Sequence, residues 1–193
     1  LSFDLLFSQT QILTDIDGEA AGDYSGYKVA ISDDGTRIAI GEETALGSQN
    51  VKINARGSGQ VRIFDYSESG WVQVGSNIDG EGAGDLFGWP VSLSSDGTRL
   101  AVGADDNDDK ETDAGHVRVY DYTASGWSQI CSDIDGEAEA DKSGFSASLA
   151  GDGTRIAIGA KYNDGGGNNA GHVRVYEASS CSQVGADLDG ATA

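Results

Sequence analysis

The stretch DGTRIAIG occupies residues 34–41 and again residues 152–159, and DGTRLAVG stands between them at residues 96–103. Asp-Gly between two alternating apolar runs is a strong signal for a β-hairpin, because Gly supplies the positive φ of a tight turn. In the returning strand, large apolar residues alternate with Ala and Gly. A strand with one bulky face and one small face predicts stacked sheets, in which the bulky face of each sheet packs on the small face of its neighbour.

The same unit repeats along nearly the whole chain. Four copies of Asp-Gly place Gly18, Gly80, Gly136 and Gly190 in register, at spacings of 62, 56 and 54 residues. Within each unit an alternating run precedes the hairpin, and two further alternating runs follow it. A period of two residues predicts strands, and four antiparallel strands in about 56 residues predict one blade of a β-propeller.

We therefore predict an all-β fold of three four-stranded antiparallel blades in a single repeat domain, residues 1–193. The predicted parts are an extra N-terminal strand segment (1–16), repeats at 17–78, 79–134 and 135–188, and a tail (189–193). Closed propellers use four to eight blades, so three blades are incomplete as a ring in one chain. This predicts a protein partner or self-association that completes the propeller. It is also in line with a fragment or processed precursor, as is the start at Leu1.

Composition excludes two classes of partner and says little about covalent links. The chain has 32 acidic and 12 basic residues and a formal net charge of −20, so we expect neither nucleic-acid binding nor attraction to an anionic membrane. No run of 18 apolar residues is present, so no membrane insertion is expected. Cys131 and Cys181 occupy different positions of the repeat, which argues against a disulfide framework.

Three segments, residues 22–43, 84–105 and 141–161, share a common start, hairpin and exit. The second segment begins with Phe87-Gly88, and the second and third end with Gly-Ala at Gly103 and Gly159. On these residues the chain resembles the FG-GAP repeat family, which forms the blades of integrin α-subunit heads. The resemblance implies a non-enzymatic, secreted or cell-surface β-propeller that acts in adhesion or assembly through protein contacts. The family's calcium-binding hairpin is shortened here, so calcium is not expected at that hairpin.

Another set of acidic residues leaves calcium open as a cofactor. Oxygen ligands at alternate positions of a loop are typical of Ca²⁺ sites, and three loops carry them at relative positions 1, 3, 5 and 9. The competing interpretation is structural hydrogen bonding, because the Gly of each loop does not lie at the usual bend. The candidate ligands are Asp15, Asp17, Glu19, Asp23, Asn77, Asp79, Glu81, Asp85, Asp133, Asp135, Glu137 and Asp141.

An alternative function is a lectin-like, calcium-assisted propeller that binds a glycan. Its expected sign is aromatic side chains beside polar groups in equivalent pockets between blades, and the candidates are Trp71, Trp89 and Trp127. Core packing explains these tryptophans equally well. The variable segments between the second and third strands, residues 43–59, 105–115 and 161–171, are either recognition loops or solvated spacers.

No motif of a known catalytic site occurs, so we predict no enzymatic activity. His116 and His172 occupy the repeat position that Gln60 fills in the first unit, which favours structural hydrogen bonds. Six arginines recur at two repeat positions and are expected to stack on aromatic rings or pair with carboxylates between blades. They are Arg37, Arg62, Arg99, Arg118, Arg155 and Arg174.

Overall fold

Strands are the only regular secondary structure in the residues that the computed structural model describes, 14–42 and 57–191. Residues 1–13 of the predicted N-terminal strand lie outside this range, and residues 14–16 form no strand. No helix in the described part of the chain could span a bilayer. The strands are β1 (Lys28–Ile31), β2 (Arg37–Glu42), β3 (Gln60–Ser67), β4 (Gly70–Gln73), β5 (Ile78–Asp79), β6 (Val91–Leu93), β7 (Arg99–Ala104), β8 (His116–Thr123), β9 (Gly126–Gln129), β10 (Ile134–Asp135), β11 (Ser143–Leu149), β12 (Arg155–Ala160), β13 (His172–Glu177), β14 (Ser182–Gln183) and β15 (Leu188–Asp189).

The strands form three antiparallel sheets, one for each repeat, and this confirms the predicted blades. Each sheet has the order first, second, third, fourth strand: β1-β2-β3-β4, β6-β7-β8-β9 and β11-β12-β13-β14. A short fifth strand, β5, β10 or β15, pairs with the beginning of the third strand, whereas the fourth strand pairs with its end. The sequence pattern did not separate this fifth strand from the fourth.

The repeated Asp-Gly forms the turn between the first two strands of each blade, as predicted. Gly35, Gly97 and Gly153 have φ values of 71°, 66° and 69°, in the left-handed region where Gly is favoured. The preceding aspartate closes the turn: Asp34 Oδ1 accepts the Thr36 backbone N–H at 2.9 Å and the Thr36 hydroxyl at 2.8 Å. These local bonds explain why Asp, Gly and Thr recur together.

Neighbouring blades stack bulky face on small face, and the two resulting interfaces are the hydrophobic core. Between the first two blades, the small face of β2 and β3 receives large side chains from β6 and β7. The same arrangement joins the second and third blades. The first interface contains Ala39, Val61, Ile63, Phe87, Val91, Leu100 and Val102, and the second contains Ala101, Val117, Val119, Leu149, Ile156 and Ile158.

Glycine at the end of the second strand admits the backbone of the next blade. A Cβ atom at Gly41 would lie 2.3 Å from the Gly88 carbonyl oxygen, and one at Gly103 would lie 2.6 Å from the Gly144 carbonyl oxygen. In the last blade the equivalent Gly159 would meet only Ser146, a residue of its own sheet. Gly is therefore required at this position wherever another blade follows.

Arginine after the hairpin links each blade to the next. Arg99 forms a two-pronged pair with Asp121, at 2.6 Å and 2.8 Å, and donates to the Gly153 carbonyl oxygen of the third blade at 2.7 Å. Arg37 makes the equivalent bonds in the first blade. In the third blade Arg155 pairs with Glu177 at 3.1 Å, and its side chain is 57% exposed. These arginines pair with carboxylates of their own blade and not between blades as predicted; the bond between blades goes to a backbone carbonyl oxygen.

A disulfide joins Cys131 and Cys181, with their Cα atoms 6.2 Å apart, although their different repeat positions argued against a disulfide framework. The physical reason is that stacking brings different repeat positions together. Cys131 corresponds to Gly75 and Cys181 to Trp127, and a Cβ at Gly75 would lie 3.5 Å from Cδ1 of Trp127. The disulfide therefore occupies, between the second and third blades, the contact that Gly75 and Trp127 make between the first and second.

We expect Gly103→Ala to lower the free energy of unfolding by about 2–3 kcal/mol, because the added methyl group meets the Pro90 ring and the backbone of the third blade. The matched control is Gly159→Ala, which meets only the movable Ser146 hydroxyl and should cost under about 1 kcal/mol. Urea unfolding followed by tryptophan fluorescence measures both values. Equal losses for the two variants would contradict this account of the interface.

Candidate functional site

The two outer faces of the three-blade stack expose apolar residues whose repeat equivalents are buried. Val29 and Ile31 of the first blade are 67% and 60% exposed, whereas Val91, the equivalent of Val29, is 9% exposed. We call the surface of Val29 and Ile31 the bulky outer face. On the third blade Val173 and Leu188 are 38% and 63% exposed, while their equivalents Val117 and Ile134 are 0% and 5% exposed.

The surface of Gly159, Ala170, Val173 and Leu188, which we call the receiving outer face, contains a cavity of about 380 Å³. In the second blade the equivalents of these residues contact the beginning of the third blade: the Ala114 carbonyl oxygen accepts the Ser143 N–H at 2.9 Å. Ala170 is the equivalent of Ala114 and lines the cavity. The receiving outer face thus repeats the surface on which the third blade is seated.

An aromatic row crosses the three blades at the start of their first strands. The Tyr27 and Trp89 rings are 4.5 Å apart, and Trp89 and Phe145 are 6.1 Å apart. Trp71 and Trp127 lie elsewhere, on the fourth strands, where each packs against a tyrosine of its own blade. The three tryptophans of the lectin hypothesis are therefore not equivalent, and the structure does not bring them together. Glycan binding stays a prediction.

The candidate calcium ligands at relative position 9 close turns. Asp23, Asp85 and Asp141 are 6%, 6% and 3% exposed, and each carboxylate accepts the N–H of the residue three positions earlier, at 2.6–3.0 Å. Asp85 and Asp141 also accept from Asn107 at 2.8 Å and Asn163 at 2.9 Å. These contacts are structural hydrogen bonds of the kind that the competing interpretation predicts.

The remaining candidate ligands lie in several different places. Asp79 and Asp135 are on β5 and β10, next to the third strand, and Asp15 and Asp17 are exposed. Burial raises the pKa of Asp135, and the neighbouring charge of Asp133 adds to this. A calcium site within one loop stays a prediction, because the residues of one loop do not all converge.

Acids from two successive acidic loops instead lie close together, beside the histidine that begins the third strand of the blade. Glu81, Asp109, His116 and Asp133, the His116 cluster, have ligand atoms within 4.8 Å of one another. Glu137, His172 and Asp187, the His172 cluster, have the same geometry in the third blade. Sequence reasoning missed these groupings because it compared acids within a loop. The available signal was that His replaces Gln60 in the two repeats whose next loop carries Asp in place of Asn77.

His116 is buried without the hydrogen bonds that we predicted, and so is one ring nitrogen of His172. His116 is 1% exposed, and neither of its ring nitrogens has a hydrogen-bond partner among the described residues. The Nδ1 atom of His172 is likewise without a partner there. Burial lowers the pKa of His116, which favours the neutral imidazole with a free lone pair. The Asp109 carboxyl raises the pKa of Glu81, since the two groups share a hydrogen bond.

The blades and their stacking define the class of protein: the fold is a β-propeller. Residues 71–120 match the FG-GAP repeat, from the fourth strand of the first blade to the third strand of the second. The matched segment thus spans one blade boundary, and it confirms the resemblance on these residues. No curated protein matches the chain at a significant level.

Solved structures share the fold at low sequence identity. One is a protein from Bacteroides uniformis assigned as a 6-phosphogluconolactonase, with a TM-score of 0.60, 14% identity, and coverage of 90% of this chain and 43% of that one. Another is the periplasmic gluconolactonase PpgL of Pseudomonas aeruginosa, with a TM-score of 0.54, 18% identity, and coverage of 88% and 41%. The chain spans about two fifths of the length of these proteins, and the likeness concerns the fold alone.

A buried carboxylate beside the second blade boundary gives the protein a pH-dependent stability. Asp105 is 5% exposed, and its nearest cation is Lys161, with the Nζ and Oδ2 atoms 3.9 Å apart. Burial raises the pKa of Asp105 from 3.8 to about 6, and the charge of Asp106 adds to the shift. The folded state therefore retains this proton up to a higher pH than the unfolded state does. Its stabilising contribution is present below about pH 4 and is lost as the pH rises to about 6.

We expect Asp105→Asn to gain stability relative to the unsubstituted protein by about 1–2 kcal/mol as the pH rises from about 4 to about 7, because the amide does not ionise. The measurement is the difference in free energy of unfolding between the two proteins at several pH values in this window. The control is Asp108→Asn, which changes an exposed acid of the same loop. A constant difference between the Asp105 variant and the parent across the window would show that Asp105 ionises normally.

Proposed function

We propose that this chain is a non-enzymatic β-propeller module that acts in assembly through blade-to-blade protein contacts. The observation that carries the proposal is the exposure of the two outer faces. One is a bulky face and the other is a receiving face, and these are the two kinds of face that pack together at both internal blade boundaries. Each internal contact joins a bulky face to a receiving face, and one copy of each remains exposed. The occupant that fits each outer face is therefore another blade of the same kind.

A second copy of the chain supplies both missing halves. The bulky outer face of one copy, with Val29 and Ile31, matches the receiving outer face of another, with Val173 and Leu188. A contact between different surfaces can close into a ring, and two copies would supply six blades, within the range of closed propellers. Arg155 and Gly159 support this arrangement, because their equivalents Arg99 and Gly103 contact the following blade.

The disulfide bears on where such a module acts. Disulfides persist in secreted and cell-surface proteins and are rare in reducing compartments. The Cys131–Cys181 link therefore supports a secreted or cell-surface location. Adhesion remains the wider role that the FG-GAP resemblance suggests, and its partner would be a protein that presents a blade-like face.

We expect the protein to self-associate reversibly at about 1–100 μM, toward twice the 19.9 kDa mass of the chain. Sedimentation equilibrium measures the mass. Val29→Asp and Val173→Asp should each reduce association at least about tenfold, because a buried charge without a partner is costly. The control is Val72→Asp, which is 54% exposed but lies on β4, away from both outer faces.

Mixing the two variants tests the pairing of unlike faces. Each variant keeps one intact face, so a mixture of Val29→Asp and Val173→Asp protein should form a one-contact heterodimer that neither variant forms alone. An unsubstituted protein that stays monomeric throughout this concentration range, or a mixture that shows no rescue, would contradict assembly through a second copy.

A further inference from the structure

Two buried histidines lie among carboxylates at equivalent positions in the second and third blades. In the His116 cluster, Asp133 Oδ2 is 3.5 Å from Nδ1 of His116. In the His172 cluster, Nδ1 of His172 is 3.7 Å from Glu137 Oε2 and 3.9 Å from Asp187 Oδ2. The third strand supplies the histidine, the loop before the first strand supplies Glu81 or Glu137, and the segment after the fourth strand supplies Asp133 or Asp187. In the second blade the loop before the third strand adds Asp109.

These separations fit shared ligation better than direct hydrogen bonding. Hydrogen bonds between nitrogen and oxygen are about 2.7–3.2 Å long. Two ligands that each lie about 2.1 Å from one tetrahedral ion are about 3.4 Å apart. A buried imidazole without a partner is costly, and both histidines are only 1% exposed at the side chain. An ion between the ring nitrogen and the carboxylates would satisfy all of these groups.

The donor set selects the class of ion. Imidazole nitrogen together with carboxylate oxygen is typical of Zn²⁺ and other first-row divalent ions, whereas Ca²⁺ takes oxygen ligands alone. The His116 cluster offers one nitrogen and three carboxylates, and the His172 cluster offers one nitrogen and two. We therefore expect the His116 cluster to bind such an ion more tightly.

Neighbouring side chains orient the carboxylates in the manner of metal sites. Gln129 donates to Asp133 Oδ1 at 2.6 Å, and Gln183 donates to Asp187 Oδ1 at 2.5 Å, so both carboxylates are held in place with Oδ2 as the oxygen nearer the histidine. In the second blade this Asp133 Oδ2 atom also accepts from Arg118 at 3.0 Å and 3.1 Å. Such partners fix ligand orientation. Arg118 pairs with Glu81 and, at 3.0 Å, with Asp133, which offsets part of the negative charge of the cluster.

The first blade contains the same arrangement with amides in place of the ligands. Gln60 and Asn77 stand where His116 and Asp133 stand in the second blade. Their amide groups donate to Glu19 Oε2 at 3.1 Å and 2.9 Å, and Asn77 donates to Gln60 Oε1 at 3.2 Å. Direct hydrogen bonds thus connect these side chains in the first blade. In the second and third blades His replaces this Gln and Asp replaces this Asn. Both replacements provide ligand atoms for a cation in place of amide donors.

We propose that the His116 and His172 clusters each bind one divalent first-row metal ion, such as Zn²⁺. An open cavity of about 530 Å³, lined by Asp109, Lys110, Ser132, Asp133 and Asp135, gives solvent access to the His116 cluster. The ion joins the third strand of a blade to the loop before the first strand and to the segment after the fourth strand. This proposal does not rest on the self-association proposed above. His172 lines the cavity of the receiving outer face, whereas the His116 cluster lies in the second blade, away from both outer faces.

The test is isothermal titration of the chelator-treated full chain with ZnCl₂, together with equilibrium dialysis to count bound zinc. We expect two ions for each chain, and absorption bands of Co²⁺ bound to nitrogen and oxygen ligands when cobalt replaces zinc. The double variant His116→Gln/Asp133→Asn copies the first blade and should lose one ion, as should His172→Gln/Asp187→Asn. The control Glu68→Gln removes one exposed charge and should keep both ions.

Circular dichroism of each variant checks that the sheets remain folded, and the cobalt spectrum of the unsubstituted protein provides a measurement that needs no variant. Unchanged zinc counts in both double variants would assign the binding to scattered surface acids and overturn the proposal. Absence of zinc binding and of cobalt bands in the unsubstituted protein would overturn it as well.

Discussion

The close approach of neighbouring blades is the constraint on which the rest of the structure depends. A single twisted sheet has two faces and can bury neither alone, so each blade must have another surface against it. The approach is close enough that Gly41 and Gly103 leave no room for a side chain. The alternation of large and small residues in the second strand follows from this packing, because a bulky face needs an indented face opposite it.

Polar groups at the blade boundary fix the relative orientation of the two packed blades. In the first two blades the arginine after the hairpin is held by a carboxylate of its own blade and donates to a backbone carbonyl oxygen of the next. A fork held at one end leaves fewer conformations to lose when its other end binds, so the contact has a defined geometry. Backbone bonds between the hairpins, such as Asp33 N–H to the Ser95 carbonyl oxygen at 2.9 Å, repeat the same direction from blade to blade.

Much of this architecture could be predicted from the sequence, because hairpins and alternating strands are local. The Asp-Gly turns, the three blades and the facing of large and small residues all depend on residues close together in the chain or on a simple period. The grouping of acids could not be predicted in this way. Glu81 and Asp133 lie almost one repeat apart in the sequence and come together because both lie beside His116 at the start of β8. The sequence pattern instead suggested that the acids of each loop act together. The missed link between Cys131 and Cys181 has a similar origin, since alignment compares equal positions and stacking joins unequal ones.

The two cysteines also give the stack an order. Because Cys131 faces the following blade and Cys181 faces the preceding one, the second and third repeats form a unique pair. Exchanging these repeats would place Cys181 opposite Gly75 of the first blade and Cys131 on the last blade with no following blade, so the disulfide could not form although every hairpin and strand would be unchanged. The second and third repeats are in this way specific neighbours, because a further blade inserted between them would keep the two thiols apart.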